Sequence, residues 1–412
     1  MPTAAAEWRA NWPMVLAAVA GMSVSSLAIY STGMFMDPLA QEFGWSHADI
    51  ASGLTIYSVL LIFLSPVAGI MLDRWGSRRI AIGGVLLFTT SFACLGLTTG
   101  SIAMWRLLWV LLSAAAPFVT TAVWTSAVSS RFVAGRGLAL AVTLSGTSLT
   151  QILVPTIANA LIRDYGWRGG YLGIGLGWGV VTLVLVLLFF RGARDLGREP
   201  GAPVPVAQGG LTLGEALRSV LIWRIALTEL VSATLVVATL VHFVPILTSS
   251  GIGRDRAAGL ATLIGFSAIA GKMLTGWLLD RSQSNWIASV SLWLPAVALL
   301  ILLDVRALGG WLIVPTLIFG YAVGAYYQTV TYLSTRYAGL RNFGKIFGLM
   351  TSLMAIGTGV GPWLAGRIFD VTGDYRLWLI VGAMLSLTAG LLVFRLGPYP
   401  IWKADAEGEA HG

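Results

Sequence analysis

Gly69-Ile70-Met71-Leu72-Asp73-Arg74-Trp75-Gly76-Ser77-Arg78-Arg79 is the stretch from which the rest of the chain can be read. An apolar run from about residue 48 ends in it, and another resumes at Ile80. About 20 apolar residues at 1.5 Å rise each cross a bilayer, so the stretch reads as a water-facing turn between two spans. Gly69 permits a close helix contact. Asp73, Arg74, Arg78 and Arg79 are placed to make charge-assisted bonds to neighbouring helix ends. A degenerate copy, Gly276-Trp277-Leu278-Leu279-Asp280-Arg281, follows 207 residues later. The same offset pairs Pro38 with Pro245, Gly44 with Gly251, Gly137 with Gly344 and Pro155 with Pro362. Glycine matches alone would mean little. With two prolines and an Asp-Arg pair among them, they point to a duplicated unit.

Composition agrees. The 412 residues are 57% hydrophobic and 11% charged, whereas a soluble domain carries about 25% charged residues. The expected class is an all-α polytopic membrane protein; long continuous apolar runs exclude a β-barrel. The first run, reaching Met36, is too long for a signal-peptide core, and no cleavage site is evident. The single Cys94 excludes an internal disulfide. A net charge of +8 would suggest nucleic acid in a soluble protein; here it marks one side of the membrane. No phosphate loop, nucleophile triad or metal cluster is present, and His47, His242 and His411 are too scattered in sequence to suggest a metal site. No enzyme activity and no cofactor are expected.

The periodicity predicts twelve helices, at 13–36, 48–72, 80–98, 103–129, 137–163, 169–190, 222–248, 257–280, 286–304, 310–334, 343–369 and 377–396. They divide the chain into an N-terminus (1–12), a six-helix bundle (13–190), a charged Gly- and Pro-containing linker (191–221), a second six-helix bundle (222–396) and a tail (397–412). Thr212-Leu213-Gly214-Glu215 has capping-box spacing, so a short helix is expected within the linker. With residue 1 cytoplasmic, seventeen Lys and Arg fall on the cytoplasmic side and eight outside. That bias places both termini inside. Six helices per half give a parallel repeat, whose substrate site lies near the bilayer midplane.

The 69–79 stretch resembles the loop signature of the major facilitator superfamily, G-x-x-x-D-R-x-G-x-R-R. The resemblance implies the major facilitator fold. It also implies that Gly69, Asp73, Arg74, Gly76, Arg78 and Arg79, with Asp280 and Arg281, form a conformational latch and not a substrate site. The rival reading is that these charges only set topology. Tyr30-Ser31-Thr32-Gly33-Met34-Phe35-Met36-Asp37-Pro38-Leu39 through Trp45-Ser46, and His242-Phe243-Val244-Pro245-Ile246-Leu247, resemble bacterial members of the monocarboxylate-porter family. In that family Y-S-x-G-x-F-x-x-P-L-x-x-E-F-G-W-S and H-x-x-P-x-L recur.

Lys272 is the leading substrate candidate. It lies eight residues before Asp280, roughly 12 Å into the apolar layer at 1.5 Å per residue. A lysine there costs about 2.5–3.5 kcal/mol on insertion scales, so it needs a reason. The rival is snorkelling to the headgroups, but a side chain of about 6 Å does not comfortably cover that depth. The family resemblance places its helix-8 substrate cation, usually an arginine, at Lys272. Animal members carry an aspartate where Ala268 stands and a lysine where Tyr30 stands, so their proton-coupling scheme does not transfer. The oxalate–formate branch carries a second cation in helix 11, where Ala355-Ile356-Gly357-Thr358-Gly359 has none; one cation suits one carboxylate.

Glu229 reads either as a buried proton site or as a vestibule residue paired with an arginine. His242 is a proton-relay candidate or a structural hydrogen-bonding group. Tyr30, Tyr57, Tyr326, Tyr327 and Gln328 are pocket candidates, each also explicable as packing or interface belt. Ser145, Thr147 and Gln151 share a face and suit helix–helix bonding equally well.

The expected function is secondary active transport of a small organic monocarboxylate by alternating access, with proton symport. Alternatives are a drug or metabolite exporter and a carboxylate exchanger of the same fold, then a non-transporting sensor. The expected partners are a small organic anion, protons and membrane lipids, with no nucleic acid, and the chain is expected to work as a monomer in a bacterial inner membrane. Cysteines placed at Ala202 and Gly408 in a Cys94→Ala background should resist impermeant thiol reagents in intact cells. Labelling from outside would reverse the orientation.

Overall fold

The computed structural model describes residues 3–132, 135–192, 210–281, 286–339 and 343–400; within these, the surroundings of Gly137 and Gly344 and the side chains of Asp73, Arg136, Asp280, Thr335, Phe343, Lys345 and Phe347 lie outside the description. Most of the linker and of the tail also fall outside it. The helices are α1 (Ala4–Ser25), α2 (Leu27–Phe43), α3 (His47–Trp75), α4 (Ser77–Cys94), α5 (Ile102–Ala115), α6 (Thr121–Ser129), α7 (Arg136–Leu144), α8 (Gly146–Phe189), α9 (Leu213–Arg218), α10 (Val220–Ser249), α11 (Arg254–Arg281), α12 (Trp286–Ile301), α13 (Val305–Leu308), α14 (Ile313–Ala338), α15 (Phe343–Thr372) and α16 (Arg376–Val393). The fold is all-α.

Among the described residues eight helical runs are long and apolar enough to cross a membrane, and the pair α1–α2, bent by 42°, makes a ninth. Two of the eight runs, 138–189 and 286–338, are twice the needed length. The first is broken at Gly166 (φ 72°, ψ 171°), a conformation only glycine adopts without strain, so α8 is two antiparallel spans. The second turns at Gly309 (φ 49°). With the 30-residue α15, these segments are consistent with twelve spans. The repeat is visible in the backbone. Gly44 and Gly251 both have positive φ, 67° and 89°, and so do Gly166 and Gly373, 72° and 78°, again 207 residues apart.

Several predicted helices are interrupted. The first breaks at Ser26, between α1 and α2. The fourth passes through a 3₁₀ turn at Ala116–Val119, whose last carbonyl accepts from the Trp124 indole at 2.9 Å. The fifth breaks at Ser145. Apolar periodicity does not reveal such breaks, because they depend on side chains that bond to exposed carbonyls. The capping box at Thr212 and Glu215 forms as its spacing indicates and starts α9.

Two compact units are present. The first comprises Met1–Gly201 with Val241–Thr248 and Gly253–Thr262; the second comprises Ala202–Leu240, Ser249–Ile252 and Leu263–Gly412. The first thus includes one end of α10 and the start of α11, two segments that follow the linker in sequence. Inside it, Phe35 stacks on Tyr171 at 3.7 Å, with Trp105 and Phe92 edge-on to the same ring. Ser23 joins α1 to α8: its carbonyl accepts from Thr150 at 2.6 Å and its hydroxyl from Trp178 at 2.7 Å. In the second unit α12 and α16 are locked by Ser386. Pro295 disturbs the α12 ladder, and the Ser386 hydroxyl accepts from the Ala296 N–H at 3.0 Å while donating to the Leu292 carbonyl at 2.7 Å. One side chain thereby bridges an opened i→i−4 bond, which lipid cannot do.

Outside the spans, Tyr399 packs with Tyr332, Tyr337 and the Arg336 guanidinium. Burial, aided by Tyr332 and Tyr337, pushes its phenol up to about 12, so it stays neutral throughout the physiological range. Ser386→Ala should lower unfolding stability in detergent by about 1–2 kcal/mol, because two backbone groups lose their partner. Thr388→Ala should leave it nearly unchanged, since that hydroxyl only bonds back to Met384 of its own helix. Equal thermal melts for the two variants would remove the bridge from the stability of the unit.

Candidate functional site

The second unit builds a polar site where α10, α11 and α14 converge. Close approach comes first. A Cβ on Gly324 would strike the Ala268 carbonyl, and one on Gly271 would strike the Tyr321 carbonyl, so α11 and α14 touch backbone to backbone. Ser267 donates to the Leu317 carbonyl at 2.6 Å, Thr275 and Tyr321 share a 3.0 Å hydroxyl contact, and Tyr332 donates to the Leu279 carbonyl at 3.0 Å. This seam holds the two helices in fixed register. Lys272 follows Gly271 directly, and its ammonium lies 6.0 Å from the centre of the Tyr327 ring, within cation–π range. Lys272 is half-buried and Tyr327 is 44% exposed.

The adjacent Tyr326 points elsewhere. It is buried, and its hydroxyl donates to Glu229 Oε1 at 3.0 Å. Glu229 itself is only 6% exposed, so it is not a vestibule residue. Nor is it the partner of Arg224, whose guanidinium donates to the Leu392 and Phe394 carbonyls, both at 2.7 Å, and so caps the end of α16. Gln328 is half-buried, with its amide beside Gly276. Of the three successive positions 326–328, one therefore meets the lysine and one the glutamate. Behind Glu229, α15 crosses α10 closely: Gly357 faces Leu230 and Gly361 faces Thr234.

The first unit holds the other candidates. Tyr57 is buried and edge-on to Trp109 at 6.4 Å, which is a packing position. Tyr30 is half-buried on α2. On α7–α8, Ser145 and Thr147 bond back to the Val142 and Leu144 carbonyls of the preceding turn. Gln151 is buried there, and its amide nitrogen has no hydrogen-bond partner among the described residues.

The loop cluster differs from expectation at Gly69, where a Cβ would meet nothing within 4 Å, so this glycine makes no close helix contact here. Gly76 does need to be glycine, with φ 80° and ψ 162° between α3 and α4. Arg78 donates to the Phe190 and Leu187 carbonyls at 2.9 and 2.6 Å and caps the end of α8. Arg74 and Arg79 are exposed, and Arg281 lies 4.3 Å over the Trp277 ring. Asp73 and Asp280 have side chains outside the described set.

One cluster was not foreseen. His47 and His242, 195 residues apart in sequence, have ring centres 6.2 Å apart, and both are buried. His47 Nε2 lies 3.9 Å from Asp37 Oδ1, and Thr248 donates to Asp37 Oδ2 at 2.7 Å. Arg254 donates to the Met34 carbonyl and, at 3.1 Å, to Asn159, which donates to Asp255 at 2.5 Å. The one signal for it was the repeat: the paired Pro38 and Pro245 set Asp37 and His242 one and three residues ahead of equivalent helix positions.

The pattern of the Major Facilitator Superfamily matches residues 18–362 and 257–411 of this chain. The chain belongs to that superfamily, and it is an integral membrane protein of the transporter class. More particularly, it is similar to curated monocarboxylate transporters. It is 27% identical to monocarboxylate transporter 11 of Homo sapiens, over 94% of this chain and 83% of that protein. It is 26% identical to monocarboxylate transporter 13 of Bos taurus, over 93% and 88%. Among solved structures, a bacterial homologue of the human lysosomal transporter Spinster, in an inward-facing and occupied conformation, superposes with a TM-score of 0.75 at 16% identity, over 93% of this chain and 96% of that one. A D-xylose–proton symporter superposes at 0.72 and 13%, over 94% and 98%. These two likenesses concern the fold.

Tyr326→Phe should lower stability by about 1–3 kcal/mol, because a buried carboxyl loses its donor. In a Glu229→Leu background the same change should cost little, giving a coupling energy by double-mutant cycle. Additive losses would show that the two side chains do not depend on each other.

Proposed function

We propose that this protein is a secondary transporter of a small organic monocarboxylate, working by alternating access with proton symport. The observation that carries the reading is Lys272, a cation inside a membrane helix, half-buried and set beside the exposed ring of Tyr327. The charge complements a carboxylate. The aromatic face suits the apolar part of a small acid. Similarity to monocarboxylate transporters over nearly the whole length supports the same substrate class.

Proton coupling follows from cost and from Glu229. Taking up an anion against an inside-negative potential costs about 2.3 kcal/mol per charge per 100 mV, and a co-transported proton removes that cost. Glu229 is a buried carboxyl whose described partner is a neutral phenol, an arrangement that supports a group able to take up and release a proton. His242 is the second proton candidate. We place the protein in a bacterial inner membrane with both termini cytoplasmic, on the distribution of Lys and Arg. The 69–79 loop and Arg281 serve as the latch between states, with Arg78 as its described bond. An anion exchanger of the same fold needs no proton and is the reading to which loss of coupling would lead.

The test is uptake of a panel of labelled carboxylates into proteoliposomes, with and without an imposed pH gradient. Lys272→Ala and Lys272→Gln should lose about ten- to hundredfold in affinity, the worth of a charged hydrogen bond of about 1.5–3 kcal/mol, and Lys272→Arg should retain function. Glu229→Gln should abolish pH-driven accumulation while keeping exchange. Wild-type affinity in Lys272→Ala would sink the anion-binding assignment.

A further inference from the structure

We propose that the Asp37–His47–His242 cluster is a proton-sensitive clasp that opens the membrane face opposite the termini when that side is acidified. The inference rests on the transporter reading and deepens it, by naming where a proton acts on conformation instead of on substrate.

The groups at the clasp come from both sides of one join within the first unit. Asp37 is on α2 and His47 opens α3. His242 and Thr248 lie at one end of α10, and Arg254 and Asp255 open α11. Close packing sets them together: a Cβ on Gly33 of α2 would strike the Val241 carbonyl, one residue before His242. Thr248 fastens α10 to α2 through Asp37 Oδ2, and Arg254 fastens α11 to α2 through the Met34 carbonyl. Asn159 and Arg163 of α8 add bonds to Arg254 and Asp255, the Arg163–Asp255 separation being 4.0 Å. Arg163 is also paired with Asp164 at 2.9 Å.

The charged and titratable groups described at the clasp include Asp37 and Asp255 against Arg254 and Arg163, the last also paired with Asp164, with the two imidazoles able to add positive charge. Imidazoles ordinarily change charge between about pH 5 and pH 8. A proton on His47 draws Asp37 toward its own helix pair and away from Thr248. A proton on His242 then faces a like charge across 6.2 Å, with Arg254 a third cation on the same side of the join. Both changes weaken the contacts that hold the ends of α10 and α11, and buried charges are screened little by salt.

The experiment reads conformation directly. Spin labels go on cysteines at Thr99, between α4 and α5, and Gly253, between α10 and α11, both exposed loop positions of the first unit, in the Cys94→Ala protein in proteoliposomes. Distances are measured by pulsed electron resonance at about pH 7.5 and about pH 5.5, chosen to bracket imidazole titration. Acidification should raise the population of the longer distance several-fold. His47→Asn and His242→Asn should each cut that response at least about threefold, in keeping with loss of the titrating group. Thr248→Val and Asp37→Asn should favour the longer distance already at the higher pH, which keeps the proposal testable if a histidine variant does not fold. An unchanged response in both histidine variants, no response in the wild type, or wild-type distances in both Thr248→Val and Asp37→Asn would overturn it. Carboxylate uptake is measured on the same vesicles. Uptake with pH-insensitive distances overturns the clasp alone, whereas pH-sensitive distances without uptake of any acid overturn the transporter reading alone.

Discussion

Backbone contact between α11 and α14 is the constraint on which the candidate site depends. Two helices that carry Gly271, Gly320 and Gly324 on their facing surfaces can approach until carbonyls replace side chains at the seam. In lipid there is little hydrophobic gain from bringing helices together, so such close van der Waals contact, with a few hydrogen bonds, is what holds them. Ser267, Thr275 and Tyr332 supply those bonds along the seam. Because the register is fixed, Lys272 comes out beside Tyr327, and Tyr326 is turned toward Glu229 on a third helix. A shift of one residue along α14 would exchange those two tyrosines and separate both pairs.

A second theme is that charge at helix ends is used as structure. Arg78 closes the end of α8 and Arg224 closes the end of α16, each by bonding carbonyls that a helix terminus leaves open. The two arginines are not equivalent under the 207-residue repeat. Each half has solved the same terminal problem from a different helix. The motif arginines are therefore more than topology markers at Arg78, whereas Gly69 makes no close contact of the kind its place in the motif suggested.

Polar side chains inside the spans divide by what they bond. Most Ser and Thr hydroxyls return to a carbonyl one turn back, the default in a medium without water. Ser386, Tyr326 and Thr248 instead reach across to another helix, and each does so where a backbone bond has been opened or a carboxylate must be held. Carboxylates are the informative members of this set. Glu229 and Asp37 are both held by hydroxyl donors, and both lie within reach of a titratable or cationic neighbour.

Composition, apolar run length and the repeat determined the fold class, the integral-membrane character and the single lysine worth pursuing, because insertion cost is a property of a residue and its depth along one helix. The capping box of α9 was legible for the same reason, being confined to four consecutive residues. The break at Gly166 falls between the predicted helices 137–163 and 169–190, whereas those at Ser26 and Ser145 were not legible, since each depends on a local backbone conformation that apolar periodicity does not encode. The pairing of Tyr326 with Glu229 needed the rotation of α14 against α10, and the meeting of His47 with His242 needed two helix ends 195 residues apart to be brought to one place. Those are consequences of packing angle and register, which side-chain volumes from several helices set together and which therefore only the tertiary structure decides.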